Sequence, residues 1–133
     1  MIRAFAMLGV VAGLAAGTAL RAPAQSESEP ETVLVTYHVK DGQQAQMESI
    51  IRKQWAALRR LDVVDEQPHL LLRGVEDGGK PVYAEVFAWK TADSADHLPA
   101  EIQTLWKLMN SLVESRSGRP GIDIHPMTPL PAQ

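Results

Sequence analysis

Glu85 is the best candidate for chemistry in this chain, because it alternates with aromatic residues. Tyr83, Glu85, Phe87 and Trp89 stand at every second position, a spacing that places their side chains on one face of a β-strand. A carboxylate among aromatic rings is poorly solvated, which suits a general base. The alternative is a structural acid that pairs with Arg73 on a neighbouring strand or with a helix residue.

Histidine provides the second set of candidates. His97 lies in a polar loop just before Pro99, where it could act as a catalytic base or orienting donor, or simply cap the loop. His38 shares a strand face with Leu34 and Thr36 and could point into a pocket. No two histidines stand at a metal-ligand spacing, so no metal site is predicted. The four histidines are His38, His69, His97 and His125.

Large side chains near Glu85 could line a ligand pocket. Trp89 ends its strand, where an indole could stack on a flat substrate or close the core. Trp106 and Met109 lie on the apolar stripe of a helix, where residues either form plain core or contact a ligand. The predicted ligand-binding residues are His38, Tyr83, Trp89, Trp106 and Met109.

The elements that must position these residues alternate between strand and helix patterns. Period-two alternation predicts strands, and apolar residues spaced by three and four predict two helices. A glycine-containing turn at 77–80 joins two strands into a hairpin. The order β-α-β-β-α-β predicts a ferredoxin-like α+β fold, an antiparallel four-stranded sheet with two helices on one face. The predicted strands are 32–40, 69–75, 82–90 and 122–127, and the predicted helices are 43–61 and a segment with Pro99 in its first turn that stops at Gly118 and Pro120.

The second face of this sheet is also apolar. Val82, Ala84, Val86 and Ala88 alternate with the aromatic set, and the first strand is apolar on both faces. Monomers rarely expose a patch of this kind. We therefore predict an isologous homodimer in which two sheets cover each other.

The N-terminus predicts export. Arg3 precedes an uncharged stretch at 4–20, and 22–24 reads Ala-Pro-Ala, a small-x-small site for a signal peptidase. We expect cleavage after Ala24, which would leave no membrane segment and deliver the protein to the periplasm or the medium. The competing interpretation is a retained membrane anchor.

Composition limits the remaining possibilities. The chain of 133 residues has a net charge of −3 and no cysteine, so it is one domain without disulfides or thiol chemistry. It has no basic face of the kind that tracks phosphates, so nucleic acid is not an expected partner. The predicted organisation is a signal peptide at 1–24, a disordered acidic linker at 25–31, the domain at 32–127 and a flexible tail at 128–133.

The residues of the third strand and second helix resemble a known family. The runs YAEVFAWK at 83–90, HLP at 97–99 and IQTLW at 102–106 look like the antibiotic-biosynthesis-monooxygenase type of dimeric α/β barrel. The resemblance covers about residues 32–127. It implies a homodimer with a pocket between the sheet and the helices of each subunit.

The resemblance also bears on chemistry. Known members include cofactor-free oxygenases of aromatic polyketides, haem-degrading enzymes and many proteins without an assigned activity. Haem degradation in these families pairs a strand-one Asn and a helix-two His with a Trp. Here only Trp89 has a counterpart, and the single asparagine is Asn110, which argues against haem; we expect no cofactor.

Three functional hypotheses follow. The first is an apolar pocket that binds a small planar aromatic molecule. The second is a cofactor-independent monooxygenase, in which Glu85 or His97 deprotonates a phenolic or quinone-like substrate, Trp89 orients its ring, and the substrate reacts directly with dioxygen. The third is a structural dimer without activity. Fold alone does not choose among them.

Overall fold

The computed structural model describes residues 29–132. The predicted signal peptide and residues 25–28 of the predicted linker lie outside the described residues. Residues 128–132 contain no helix or strand. The described elements are β1 (Glu31–His38), α1 (Gln44–Arg60), β2 (Val64–Glu76), β3 (Lys80–Trp89), α2 (Ala100–Leu112) and β4 (Ile122–Met127).

The four strands form one antiparallel sheet in the order β2-β3-β1-β4. This is the predicted ferredoxin-like α+β arrangement. Glu85 on β3 is opposite Val35 on β1 and Leu71 on β2. It therefore lies in a central strand, where both neighbours limit its contact with water.

The core lies between one sheet face and the two helices. Alternate residues of β1 and β3, among them Val33, Val35, Tyr83 and Phe87, are buried together with the apolar stripes of α1 and α2. The strand residues follow a period of two and the helix residues follow spacings of three and four, as predicted. The buried helix residues are Met47, Ile50, Ile51, Gln54, Ala57, Leu58, Ile102, Met109 and Leu112.

The second strand is longer than its sequence pattern indicated. β2 begins at Val64 and not at His69, and its pairing with β3 is irregular between these two residues. The polar run at 65–67 hides this first part of the strand, because it breaks the apolar alternation. Val64 is nevertheless opposite Trp89, so the strand reaches the end of β3.

Several ends also differ from prediction. The second helix ends at Leu112, because Val113 is extended and bridges Val39, whereas the sequence predicted a stop at Gly118 and Pro120. β1 stops at His38, because Val39 leaves the ladder and forms an isolated bridge with Val113. Pro99 is the N-cap residue of α2, one position before the first helical residue. The hairpin turn is where it was expected, and Gly78 and Gly79 adopt φ values of 80° and 76°, which glycine accommodates without a steric penalty.

The outer sheet face carries large apolar side chains. Leu70 and Leu72 on β2 are 49% and 51% exposed, and they pair with Val86 and Ala84 on β3. Leu34 on β1 continues the row. The apolar character predicted for this face is therefore present in the structure, and no described element covers Leu70 and Leu72.

Candidate functional site

The candidate site is centred on the Glu85 carboxylate. Its side chain is completely buried on the helix-facing side of β3. Tyr37 donates a hydrogen bond of 2.7 Å to Oε1, and His69 Nε2 lies 3.0 Å from Oε2. Each carboxylate oxygen thus has a side-chain partner, as a buried charge requires.

The sheet register explains why these three side chains meet. Tyr37 is opposite Tyr83, two residues before Glu85, and His69 is opposite Phe87, two residues after it. Residues at these diagonal positions share a face and are within reach of long side chains. Three neighbouring strands therefore place one acid, one phenol and one imidazole together.

His69 connects the buried carboxylate with the surface. Its side chain is 22% exposed, and its ring stacks on Trp55 with 3.6 Å between centroids and 7° between planes. Phe87 meets Trp55 edge to face at 6.1 Å. The stack fixes the plane of the imidazole, and the hydrogen bond to Glu85 fixes its rotation within that plane.

A second hydrogen-bonded pair ties the helices to this cluster. The Trp106 indole on α2 donates to Gln54 Oε1 on α1 at 2.6 Å. An indole N–H only donates, so the oxygen of the amide must face Trp106 and its NH₂ group must face elsewhere. The Gln54 amide also lies close enough to Tyr37 to lower the pKa of its phenol slightly.

The direction of two of these hydrogen bonds is fixed by their donors. Trp106 donates to Gln54, and Tyr37 donates to Glu85. With Glu85 ionised, His69 must donate its Nε2–H to the second oxygen. The proton of neutral His69 is then on Nε2, and Nδ1 keeps a free lone pair.

Tyr37 is a proton donor and not the base of this cluster. Burial raises the pKa of Tyr37 well above its ordinary value of 10.0, and the Glu85 carboxylate raises it further. The nearby Gln54 amide lowers the pKa of Tyr37, but this is the smallest of these effects. The phenol therefore stays protonated at neutral pH and holds Glu85 in place.

Arg73 does not pair with Glu85, contrary to the structural alternative raised for that residue. Arg73 binds both oxygens of Glu48 on α1, at 2.9 and 2.8 Å. Tyr83, a predicted ligand-binding residue, is buried and donates to Glu48 Oε2 at 2.8 Å. Hydrogen bonds from Tyr83 and then from Arg73 lower the pKa of Glu48 below its ordinary value of 4.5. This cluster links α1 to the sheet.

The other predicted ligand-binding residues on this side of the sheet differ in burial and in their distance from the Glu85 cluster. Trp89 is buried and meets Phe87 edge to face at 5.2 Å. Met109 is buried in the core. Trp106 is partly buried and reaches the Glu85 cluster only through Gln54.

The structure does not bring His97 or His38 to Glu85. The His97 side chain is 77% exposed, with Nε2 3.5 Å from Asp93. His38 lies on the outer sheet face, since it follows Tyr37 in β1. Its Nδ1 is 2.9 Å from Glu76 Oε1, but the approach is not aligned for a hydrogen bond, so neither ring nitrogen has a hydrogen-bond partner among the described residues.

Sequence reasoning missed His69 and Tyr37 as members of the site. The predicted turn at 77–80 contained a usable signal, because a hairpin register counted outward from Glu76 and Lys80 puts His69 opposite Phe87. His69 therefore shares the face of Glu85. Tyr37 required the pairing of β1 with β3, which no local pattern specifies.

The described residues form an open cavity elsewhere. A groove of about 500 Å³ lies between α1 and α2, and none of its lining residues belongs to the Glu85 cluster. Among residues 29–132, no group of three or more His, Asp or Glu side chains is arranged to hold a metal ion. No helix in that range is long and apolar enough to cross a membrane.

Solved structures identify the fold class. An antibiotic biosynthesis monooxygenase shares 16% identity with the chain, with a TM-score of 0.55 over 76% of this chain and 99% of the other. Rv0793 from Mycobacterium tuberculosis shares 14% identity, with a TM-score of 0.56 over 78% and 98%. The chain thus has the fold of antibiotic-biosynthesis-monooxygenase-like proteins, as the resemblance implied.

A third solved structure is that of a named oxygenase. SnoaB from Streptomyces nogalater, described as a cofactor-independent oxygenase, shares 19% identity with the chain, with a TM-score of 0.59 over 78% of this chain and 96% of SnoaB. Identity at this level establishes the fold and not the activity. No protein-family model matches the sequence, and a search of curated proteins gives no match.

Proposed function

We propose that the protein binds a planar phenolic molecule beside His69 and removes its hydroxyl proton. The observation that carries this proposal is the 3.0 Å contact between His69 Nε2 and the buried Glu85 carboxylate, which in a neutral histidine places the proton on Nε2 and leaves Nδ1 as an acceptor. Glu85 orients the ring and stabilises the imidazolium that forms on protonation. The Trp55 indole lies parallel to the imidazole with 3.6 Å between centroids, so a flat ring bound at Nδ1 in the imidazole plane can pack against the same indole face.

The surroundings of His69 suit an aromatic ligand. Trp55, Phe87 and Trp89 form a continuous series of ring contacts. His69 is the partly exposed member of the cluster, so a ring reaches it from the solvent side. Contact with these aromatic groups would shield one face of the phenolate from water, and its charge would be balanced by the protonated histidine.

A direct test uses 1-naphthol, whose phenolate absorbs at longer wavelength than the phenol. Wild-type protein is expected to raise the phenolate fraction of bound 1-naphthol at neutral pH by about tenfold, the equilibrium of one pKa unit. His69→Gln and Glu85→Gln should abolish the increase. His97→Gln is the matched control and should retain it, because that ring faces solvent away from the cluster.

Equal phenolate fractions in wild type and in both cluster variants would contradict the proposal. A circular dichroism spectrum of each variant separates loss of the site from loss of the fold. Loss of the phenolate signal in His97→Gln would instead indicate that His97 is the base.

The second candidate function is oxygenation of the deprotonated molecule, favoured by the fold that the chain shares with a cofactor-independent oxygenase. An electron-rich carbanion or phenolate can reduce dioxygen itself. With anthrone, the ring CH₂ would become a carbonyl: one oxygen atom enters the product and the other leaves as water with the two hydrogens. The measurement is incorporation of one labelled oxygen atom from ¹⁸O₂, absent in Glu85→Gln; consumption of oxygen without incorporation would refute oxygenation.

We also propose that two copies pair through the outer sheet face. The exposed Leu70 and Leu72, with Val86 and Leu34 beside them, form an apolar surface that a second sheet would cover. A two-fold pairing buries the same surface on both subunits. If no pairing occurs and neither ligand nor turnover is found, the remaining hypothesis is a domain without activity.

Export remains part of the proposal. Its support is the sequence of residues 1–24 alone, with a basic start, an apolar stretch and a small-x-small site. Expression in a bacterial host should yield a periplasmic or extracellular product that begins at Gln25. N-terminal sequencing of that product checks the site, and a chain that keeps Met1 in the membrane fraction would support the anchor interpretation instead.

A further inference from the structure

The stack between Trp55 and His69 has an unusual geometry for two neutral aromatic rings. The rings are almost parallel, at 7°, and their centroids are 3.6 Å apart. A separation this short leaves almost no lateral offset, so the imidazole lies over the centre of the indole. Neutral aromatic rings avoid a centred face-to-face stack and prefer an offset or an edge-to-face contact, because their π faces repel each other.

Two other ring pairs in the same cluster have the geometry that neutral rings prefer. Phe87 meets Trp55 at 62° and Trp89 at 72°, with centroid distances of 6.1 and 5.2 Å. These pairs show that the cluster has room for edge-to-face contacts. The centred stack on His69 is instead the arrangement that a cation adopts over an indole, whose face attracts positive charge within about 6 Å of the ring centre.

The charges around His69 also favour a cation at this position. Among residues 29–132, Glu85 is the only charged side chain within ion-pair distance of His69. The cations that are nearest in sequence to Trp55 and His69 contact other carboxylates: Arg52 and Arg73 contact Glu48, and Arg59 contacts Glu66. A protonated His69 would therefore have a carboxylate in its ring plane and an indole face above that plane, with no cation in contact.

We propose that Trp55 stabilises the protonated form of His69 through a cation–π contact and thereby favours proton transfer from the bound phenol. This inference rests on the proposed function, in which Nδ1 of His69 accepts that proton. The O–H bond of the phenol breaks, an N–H bond forms at Nδ1, and the electron pair of the broken bond stays on the phenolate oxygen. Trp55 exchanges no proton and acts through His69, so it is a positioning residue.

The first test uses the protein without a ligand. A protonated imidazole quenches the fluorescence of an indole in contact with it, so the emission of the wild type should fall in one step between about pH 8 and about pH 5, where histidine takes up its proton. His69→Gln and Trp55→Phe should each remove the step. Trp106→Phe is the matched control and should keep it, because among the described rings only Trp55 stacks on a histidine.

The second test separates stabilisation of charge from packing. Trp55→Leu keeps an apolar side chain and removes the π face, whereas Trp55→Phe keeps a smaller π face. The ratio of phenolate to phenol in bound 1-naphthol should fall about two- to fivefold in Trp55→Leu, the range of a partly exposed cation–π contact, and Trp55→Phe should restore most of it. A residue that only packs would change the dissociation constant of 1-naphthol and leave this ratio unchanged.

Either of two results would overturn the inference. The first is a wild-type emission that does not change with pH, or a step that persists in His69→Gln. The second is an equal ratio of phenolate to phenol in wild type and Trp55→Leu, in a protein that does raise the phenolate fraction. The ligand-free titration decides the question even when Trp55→Leu fails to fold.

The same experiments distinguish failure of this inference from failure of the proposed function. An emission step that requires both Trp55 and His69 supports the cation–π contact whether or not 1-naphthol is deprotonated. If that step is present and the wild type does not raise the phenolate fraction, the phenol site is wrong and the role of Trp55 in charging His69 is supported.

Discussion

At the scale of single residues, the Glu85 carboxylate determines the chemistry of the cluster. It is the only fully buried acid of the described residues, and both oxygens are occupied. A buried charge is stable only while its hydrogen-bond partners are present. Removing one partner leaves the other group buried without a hydrogen bond and without water, which destabilises the fold. The same geometry therefore affects both stability and proton transfer.

Glu85→Gln should lower the free energy of unfolding by about 1–3 kcal/mol, because an amide cannot accept bonds from Tyr37 and His69 at the same time. Urea denaturation followed by tryptophan fluorescence measures the change. Glu66→Gln is the control, since Glu66 is exposed and its ion pair with Arg59 is long, at 4.0 Å. An equal, small effect of both substitutions would argue against a buried charged cluster.

Glu48 predicts how stability depends on pH. Its pKa is lowered in the folded state by Tyr83 and Arg73, so the unfolded chain takes up its proton first as the pH falls. The contribution of Glu48 is present above its ordinary value of 4.5 and is lost as the pH drops through the lower folded value. Glu48→Gln should flatten the decline of the unfolding midpoint below that pH, whereas Glu66→Gln should leave it unchanged.

The sequence pattern allows Glu85 to be predicted, but not its partners. Alternation along β3 is local, so the burial of Glu85 among aromatic rings can be predicted from the spacing alone. His69 and Tyr37 come from two other strands, and their approach depends on register and on the start of β2. Arg73, which seemed a natural partner, lies four residues after His69 on β2, opposite Tyr83, and binds Glu48 on α1.

At the scale of elements, the end of α2 packs tightly on the segment that leads into β4. A Cβ atom at Gly121 would lie 2.6 Å from Val113 Cγ2 and 2.9 Å from Val113 Cβ. His38 donates its backbone N–H to Gly121 O at 2.8 Å, so the segment cannot move away without breaking that bond. Close packing here fixes where β4 joins β1.

Gly121→Ala should lower the free energy of unfolding by about 1–3 kcal/mol through overpacking. Combining it with Val113→Ala removes Cγ2, the atom that the new methyl group meets closest, and leaves Cβ of residue 113 in place. The double variant should then be more stable than the sum of the single effects predicts, which is a positive coupling measurable in a double-mutant cycle. Additive effects would mean that the contact with Val113 Cγ2 is not the cause.

The order of the elements was predictable, because each keeps its own hydrophobic period over most of its length. The boundaries of the elements were less predictable than their order. Val64 belongs to β2 only because it pairs with Trp89 across the sheet. The polar residues that follow Val64 give no sequence pattern from which this pairing could be predicted. Tertiary pairing here extends a strand beyond its local signal.

At the scale of the whole molecule, the outer sheet face predicts self-association. Leu72→Glu should convert the proposed dimer into a monomer, since burying two unpaired carboxylates across a two-fold axis is strongly unfavourable. Sedimentation velocity at micromolar concentration measures the change. Leu130→Glu is the control, because Leu130 is 85% exposed in the terminal segment. A wild type that sediments as a monomer would refute the pairing.

Neighbouring residues of β1 lie on opposite faces of the sheet. Tyr37 hydrogen-bonds the Glu85 carboxylate on the inner face, and Leu34 and Thr36 lie on the outer face. A shift of this strand by one position would exchange the two sets of side chains completely. Any substitution that shifts β1 by one position should therefore abolish the proposed phenol site and the proposed pairing surface together. Variants selected for losing only one of these properties should map to β2, to α1 or to the loops, and not to the backbone of β1.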